Sequence, residues 1–189
     1  MSQVEFLGFR VSKNGVQPGT KKLAAISEYA RPTNASEVRK YLGLVSFFRK
    51  FVKNFAMIVS PISALLKKGT PFKGNEACEN AFRELRQRLL SEPILVKFER
   101  SRPTRLYTDA CGIGLGAILV QKVDDKWRLV YAVSRKLSDA ETNYHSTRLE
   151  QLAAVWAMSR LRHYLSGLKF TLITDCTAVR ALTATTPTG

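Results

Sequence analysis

Arg105-Leu106-Tyr107-Thr108-Asp109-Ala110-Cys111-Gly112-Ile113-Gly114-Leu115-Gly116-Ala117-Ile118-Leu119-Val120-Gln121 is the stretch that decides the fold. A short apolar run ends in a carboxylate, three glycines follow at alternate positions, and a second apolar run begins. The pattern predicts two adjacent strands joined by a glycine-permitted turn, with Asp109 where the first strand ends. An Asp before such a turn can be simple turn chemistry. Two downstream stretches argue for more. Thr147-Arg148-Leu149-Glu150-Gln151-Leu152-Ala153-Ala154-Val155-Trp156 sets a lone acid on an otherwise apolar helical face. Leu172-Ile173-Thr174-Asp175 reads as another strand ending in an acid.

Working outward, strands are expected at 105–110, 114–121 and 127–134, with a turn at Asp124-Asp125. A helix over about 146–166 and a strand at 169–174 follow, and a further helix begins at Thr177. Upstream, Pro93 and Pro103 bracket a short apolar run that reads as a boundary. Before it lies a helical unit. Thr20 is expected to cap a first short helix. Asn34-Ala35-Ser36-Glu37 has the capping-box pattern for a second helix. That helix carries Val38, Leu42, Val45, Phe48, Val52 and Phe55 on one face, from Ser36 to Phe55. A short helix from Pro61 to Lys68 is stopped by Gly69, and Asn75 can cap the last. At the front, Val4 to Val11 is β-prone, and Asn14-Gly15 signals a hairpin. The expected class is α+β: a hairpin at 1–17, a helical unit at 18–91, a linker at 92–103 and an α/β domain at 104–189.

The 189 residues carry 30 Lys and Arg against 15 Asp and Glu, a net charge of +15. Such an excess points to a polyanionic partner, nucleic acid first. It is uneven: residues 1–100 hold 18 Lys and Arg against 8 acids, and residues 101–189 hold 12 against 7. Arg39, Lys40, Arg49, Lys50 and Lys53 on the second helix are the candidate phosphate contacts. No apolar run approaches the roughly 20 residues of a membrane helix. Cys78, Cys111 and Cys176 lack zinc-ligand spacing and read as reduced thiols of an intracellular protein.

Two strand ends and one inward helix position would bring Asp109, Glu150 and Asp175 together. Carboxylates so gathered repel unless a cation neutralises them. Oxygen ligands suit Mg²⁺, with Mn²⁺ as a substitute. Two such ions about 4 Å apart activate water and stabilise the leaving oxygen of a phosphodiester.

The chain resembles the reverse transcriptase–ribonuclease H region of Gypsy-type LTR retrotransposon Pol polyproteins. Val4-Glu5-Phe6-Leu7-Gly8 is similar to the primer-grip hairpin at the end of that family's palm. Arg31-Pro32-Thr33, Tyr41-Leu42-Gly43-Leu44 and Phe47-Phe48-Arg49-Lys50-Phe51 resemble its thumb, and Leu65-Leu66-Lys67-Lys68-Gly69 the segment after it. Tyr107-Thr108-Asp109-Ala110, Gly114-Leu115-Gly116-Ala117, Ser134-Arg135-Lys136-Leu137, Glu141 with Asn143-Tyr144, and Thr174-Asp175 resemble its ribonuclease H domain. The resemblance implies a thumb-like helical domain followed by an incomplete ribonuclease H-like domain. Asp109, Glu150 and Asp175 would be three of the four metal-binding acids, and RNA–DNA hybrid or duplex nucleic acid the partner. It implies a magnesium-dependent endonuclease from an RNA-directed DNA polymerase polyprotein, acting in the cytoplasm within a retroelement particle or in the nucleus.

Several departures qualify it. The polymerase's paired aspartates do not occur, and the fourth acid and last strand of the family lie beyond residue 189. Cys111 stands where Ser is usual, and Arg148 where an additional Glu is common. The expectation is a fragment of a longer polyprotein or a truncated relic, whose rival role is a catalytically dead, domesticated nucleic-acid-binding module.

Overall fold

A computed structural model describes residues 4–67, 75–91 and 93–176. Three antiparallel strands come first: β1 (Val4–Phe6), β2 (Phe9–Ser12) and β3 (Gly15–Pro18), in that order across the sheet. The strand expected over 4–11 is thus two strands. Leu7 and Gly8 both take positive φ, 49° and 76°, so they reverse the chain in two residues. Gly15 opens β3 with φ 130°, and a Cβ there would strike the Leu95 carbonyl. Leu95 in turn exchanges both backbone hydrogen bonds with Val16, at 2.8 and 2.9 Å. The expected linker is therefore tied into the fold, and Val96 also donates to the Leu129 carbonyl at 2.8 Å.

The helices are α1 (Thr20–Glu28), α2 (Ala35–Ser46), α3 (Phe55–Ile58), α4 (Ser60–Ala64) and α5 (Glu76–Leu90), with a 3-10 turn at Arg49–Phe51. Asn34 and Asn75 cap α2 and α5 by accepting from the Glu37 and Cys78 N–H groups. Gly19, not Thr20, holds the cap position of α1, and the Thr20 hydroxyl donates to Glu5 instead. The helix expected from Ser36 to Phe55 breaks after Ser46. Packing overrides the periodicity: Phe47 stacks on Phe9 at 4.8 Å, and the Phe48 ring meets Phe9 edge-on at 5.9 Å. Ile26, Tyr41, Val45, Phe48, Leu85 and Leu89 are fully enclosed and form the centre of this core. The expected stop at Gly69 lies outside the described residues.

The second sheet comprises β4 (Thr104–Cys111), β5 (Gly114–Val123), β6 (Lys126–Lys136) and β7 (Thr171–Ile173), in the order β6-β5-β4-β7. The first three strands are antiparallel, and β7 runs parallel to β4 with Tyr107 opposite Ile173. Asp124 and Asp125, both at positive φ, make the expected turn. Helix α6 (Ser146–Arg160) crosses β4, and α7 (Arg162–Leu165) follows a break at Leu161. Leu106, Leu119, Ala157 and Leu161 form the centre of a separate core. Buried Gln121 anchors the residues before β4: its amide accepts from Glu99 N–H and donates to the Glu99 carbonyl and the Thr104 hydroxyl. The helix expected from Thr177 falls outside the described residues.

Candidate functional site

Asp109 lies near the C-terminal end of β4, the strand shared by the antiparallel and parallel halves of the sheet. The last β4–β7 pair is Tyr107 with Ile173, so Asp109 and Asp175 each lie two residues beyond it, at the same end of the two strands. Glu150 projects from the second turn of α6 onto the same strand end, where its Oε1 accepts from the Ala110 N–H at 3.1 Å. Its other oxygen, Oε2, is buried without a hydrogen-bond partner. Burial pushes the Glu150 carboxyl above its ordinary range; the Ala110 N–H opposes the rise, and Asp109 and Asp175 add to it. A buried carboxylate oxygen with no donor, facing two other acids, is the arrangement that a hard cation relieves. Among the described residues, no three His, Cys, Asp or Glu side chains already form a finished ligand cluster. Asp175 is exposed. The donor chemistry therefore fits a divalent cation held by oxygens, with Asp175 the least enclosed of the three.

The glycines beside Asp109 do something other than permit a turn. Gly112, Gly114 and Gly116 all have ordinary negative φ. Gly114 and Gly116 lie within β5, and Gly116 pairs across the strands with Asp109. Their missing side chains leave room for the segment 54–57 of the helical unit. A Cβ on Gly114 would come within 2.6 Å of the Met57 sulfur, and one on Gly116 would run into the Asn54 amide. The docking is hydrogen-bonded too. The Ala56 N–H donates to the Ser134 hydroxyl at 2.9 Å, and the Arg49 guanidinium to the Ser134 carbonyl at 2.8 Å. Asn54 reaches furthest, with Nδ2 3.4 Å from Asp109 Oδ2. Sequence reasoning missed Asn54, and met Ser134 only inside a family-like motif, without its docking role. An Asn inside a stretch of helical periodicity was the available signal, since it favours caps and left-handed backbone over helix interiors.

A second polar unit braces the loop before α6. Arg135 and Glu141 form a two-pronged ion pair at 2.7 and 2.8 Å, and the Ser138 N–H donates to the same carboxylate. Arg135, with the Ser138 N–H beside it, holds the Glu141 carboxyl down at about 2. The Arg135 guanidinium also lies 5.6 Å over the Trp156 ring. Arg148, where an acid is common in the resembled family, stacks 4.0 Å from the Tyr144 ring.

The five basic candidates fall into two groups. Arg39 and Lys40 are exposed on α2, and Lys53 is exposed just before α3. Arg49 is committed to Ser134. Lys50 is half-buried over the Phe9 ring at 4.1 Å, and burial draws its ammonium below the ordinary value.

Three antiparallel strands, a fourth strand parallel to the first and a helix across them, with acids at adjoining strand ends, define a ribonuclease H-like domain behind a helical unit. The chain belongs to the family of RNase H-like domains found in reverse transcriptases, whose match spans residues 75–172. It is 40% identical over 176 residues to the retrovirus-related Pol polyprotein from transposon gypsy of Drosophila melanogaster. That match covers 87% of this chain and 17% of the relative, so the chain spans about a sixth of that polyprotein's length. The fold matches the foamy viral protease-reverse transcriptase in complex with double-stranded DNA, with TM-score 0.79 and 18% identity, over 99% of this chain and 39% of that one. It also matches the same enzyme in complex with RNA/DNA hybrid, with TM-score 0.74 and 20% identity, over 90% of this chain and 23% of that one. No helix among the described residues is long and apolar enough to cross a membrane.

Proposed function

We propose that the chain is part of a retroelement reverse transcriptase–ribonuclease H, that it binds RNA–DNA hybrid or duplex nucleic acid, and that Asp109, Glu150 and Asp175 hold Mg²⁺ or Mn²⁺ for hydrolysis of RNA in hybrids. The observation that carries this reading is the buried, donorless Oε2 of Glu150 beside Asp109 and Asp175. Bound divalent ions would supply activation of water and stabilisation of the leaving oxygen. The chain's own part is to fix the carboxylates. β4 holds Asp109, the Ala110 N–H orients Glu150, and the register of β7 brings up Asp175. Binding draws on the +15 charge, with exposed Arg39, Lys40 and Lys53 as the first phosphate contacts and Arg49 and Lys50 beside them. Hybrid shape and 2′-hydroxyls, more than base edges, would be read. The rest of a Pol polyprotein would be the natural covalent partner.

The test is cleavage of an end-labelled hybrid by purified protein with Mg²⁺, with Mn²⁺ and with chelator. The reading expects metal binding with metal-dependent cuts in the RNA strand alone, feeble with only these three acids to hold two ions, and lost in Asp109→Asn while folding and duplex binding persist. Duplex binding with no metal-dependent cleavage would favour the non-catalytic binding module. Cleavage unaffected by Asp109→Asn would refute the site.

A further inference from the structure

We infer that Asn54 is a positioning residue for Asp109, and that through it the helical unit forms one wall of the acid site; the inference rests on the metal-holding reading of that site. Asn54 occupies the N-cap position of α3 in the left-handed conformation, φ 58° and ψ 28°. An Asn at a cap ordinarily turns its side-chain oxygen onto the N–H groups of the first turn. This one does not, and the Ala56 N–H is served across the interface by Ser134. The Asn54 oxygen is buried with no hydrogen-bond partner. The only hydrogen bond made by its amide nitrogen among the described residues goes to Asp109 Oδ2, at 3.4 Å. A carboxylate only accepts, so the amide nitrogen is the end that must face it.

Asn54 thus gives up its capping bond and buries an unsatisfied oxygen, both unfavourable for folding, in order to touch Asp109. The neighbouring residues accommodate it. Gly116, the cross-strand partner of Asp109, has no side chain, and a Cβ there would displace the amide. An acid held by one oxygen presents the other in a fixed orientation, which a cation site requires. Asp109 is therefore oriented by a residue 55 positions earlier in the chain, in a different structural unit.

The experiment is Mn²⁺ titration, followed by electron paramagnetic resonance, of the whole chain and of Asn54→Gly, Gly116→Ala, the double variant and Asp109→Asn. Asn54→Gly removes the amide and keeps a backbone that glycine adopts freely. Gly116→Ala leaves Asn54 in place but pushes its amide away. Each should weaken Mn²⁺ binding roughly three- to tenfold, and the double variant should bind no more weakly than Asn54→Gly. Asp109→Asn should bind far more weakly than any of them. Mn²⁺ affinity unchanged in Asn54→Gly, even with a lowered melting temperature, would make Asn54 a packing residue and overturn the inference. Affinity unchanged in Asp109→Asn would overturn the metal reading itself. An unaltered chain that binds no Mn²⁺ would overturn both. If Gly116→Ala does not fold, Asn54→Gly decides the matter alone.

Discussion

Ser134→Ala probes how firmly the helical unit is seated on the acid-bearing sheet. Ser134 is 3% exposed on β6, and its hydroxyl is the acceptor for the Ala56 N–H. That N–H belongs to the first turn of α3, where no side chain of the helix's own caps it. Loss of a capping acceptor costs typically about 1 kcal/mol, and a buried orphan donor about 1–3 kcal/mol. Ala56 lies at the edge of burial, 9% exposed, so the lower part of that range applies: about 1–2 kcal/mol. For a chain of this length each kcal/mol moves the melting temperature by about 2–4 °C, so Ser134→Ala should melt roughly 2–8 °C lower. Circular dichroism melting gives the global figure. Hydrogen exchange gives the local one, because the Ala56 amide should lose protection while those of β4 and β5 keep theirs. An unchanged melting temperature together with unchanged exchange at Ala56 would refute the docking argument.

Other outcomes follow from the charges. Changing Arg39, Lys40 and Lys53 together to Glu should weaken duplex binding and flatten its salt dependence by about three units of log–log slope, measured by fluorescence anisotropy; an unchanged slope means that these side chains are only solvated surface. Glu141 has its folded pKa lowered to about 2, so its contribution to stability is present above the ordinary carboxylate value and is lost as pH falls towards 2. Acid melts of Glu141→Gln should therefore show a shallower fall in stability between about pH 5 and 2 than the unaltered chain. For Glu150 the sign is opposite. Its folded pKa is raised, so the folded state favours the protonated form and ionisation at neutral pH opposes folding. Glu150→Gln in chelator should melt higher at pH 7, with the gain shrinking as pH is lowered, and it should lose Mn²⁺ binding.

The alternation of apolar and polar residues made the second sheet legible, because a strand with one covered face must repeat every second residue. The strands expected at 105–110, 114–121 and 127–134 appear as Thr104–Cys111, Gly114–Val123 and Lys126–Lys136. Glu150 was legible for a related reason: a lone acid on an apolar helical face has nowhere to go but inward. The helix expected from Ser36 to Phe55 failed where periodicity and packing disagreed. Its apolar spacing continues through Phe48, Val52 and Phe55, yet Phe9, a residue from another element, draws Phe47 and Phe48 around itself. The glycines were seen but misread. A glycine is required either by a backbone angle or by a neighbour's approach, and the sequence alone does not separate the two. At Gly114 and Gly116 the neighbour is a segment some 60 residues away, which no local pattern could announce.

That distant contact bears on how a polyanion could approach an acidic groove at all. Phosphates near Asp109, Glu150 and Asp175 are repelled until cations intervene, and bound metal is only part of the remedy. Lys53, exposed, immediately precedes Asn54, the residue in contact with Asp109. Arg49, in the same segment, is spent on holding Ser134. Within the proposed function, then, Arg49 and Asn54 fix the units against each other, and exposed Lys53, one residue before the contact with Asp109, would bring positive charge towards the acids. Charge at Lys53 should consequently matter more for cleavage than charge at Arg39, although both contribute to binding. Lys53→Gln and Arg39→Gln, compared at saturating hybrid, separate the two. Equal turnover in both variants would place Lys53 with the general electrostatic surface and deny it any special relation to the acids.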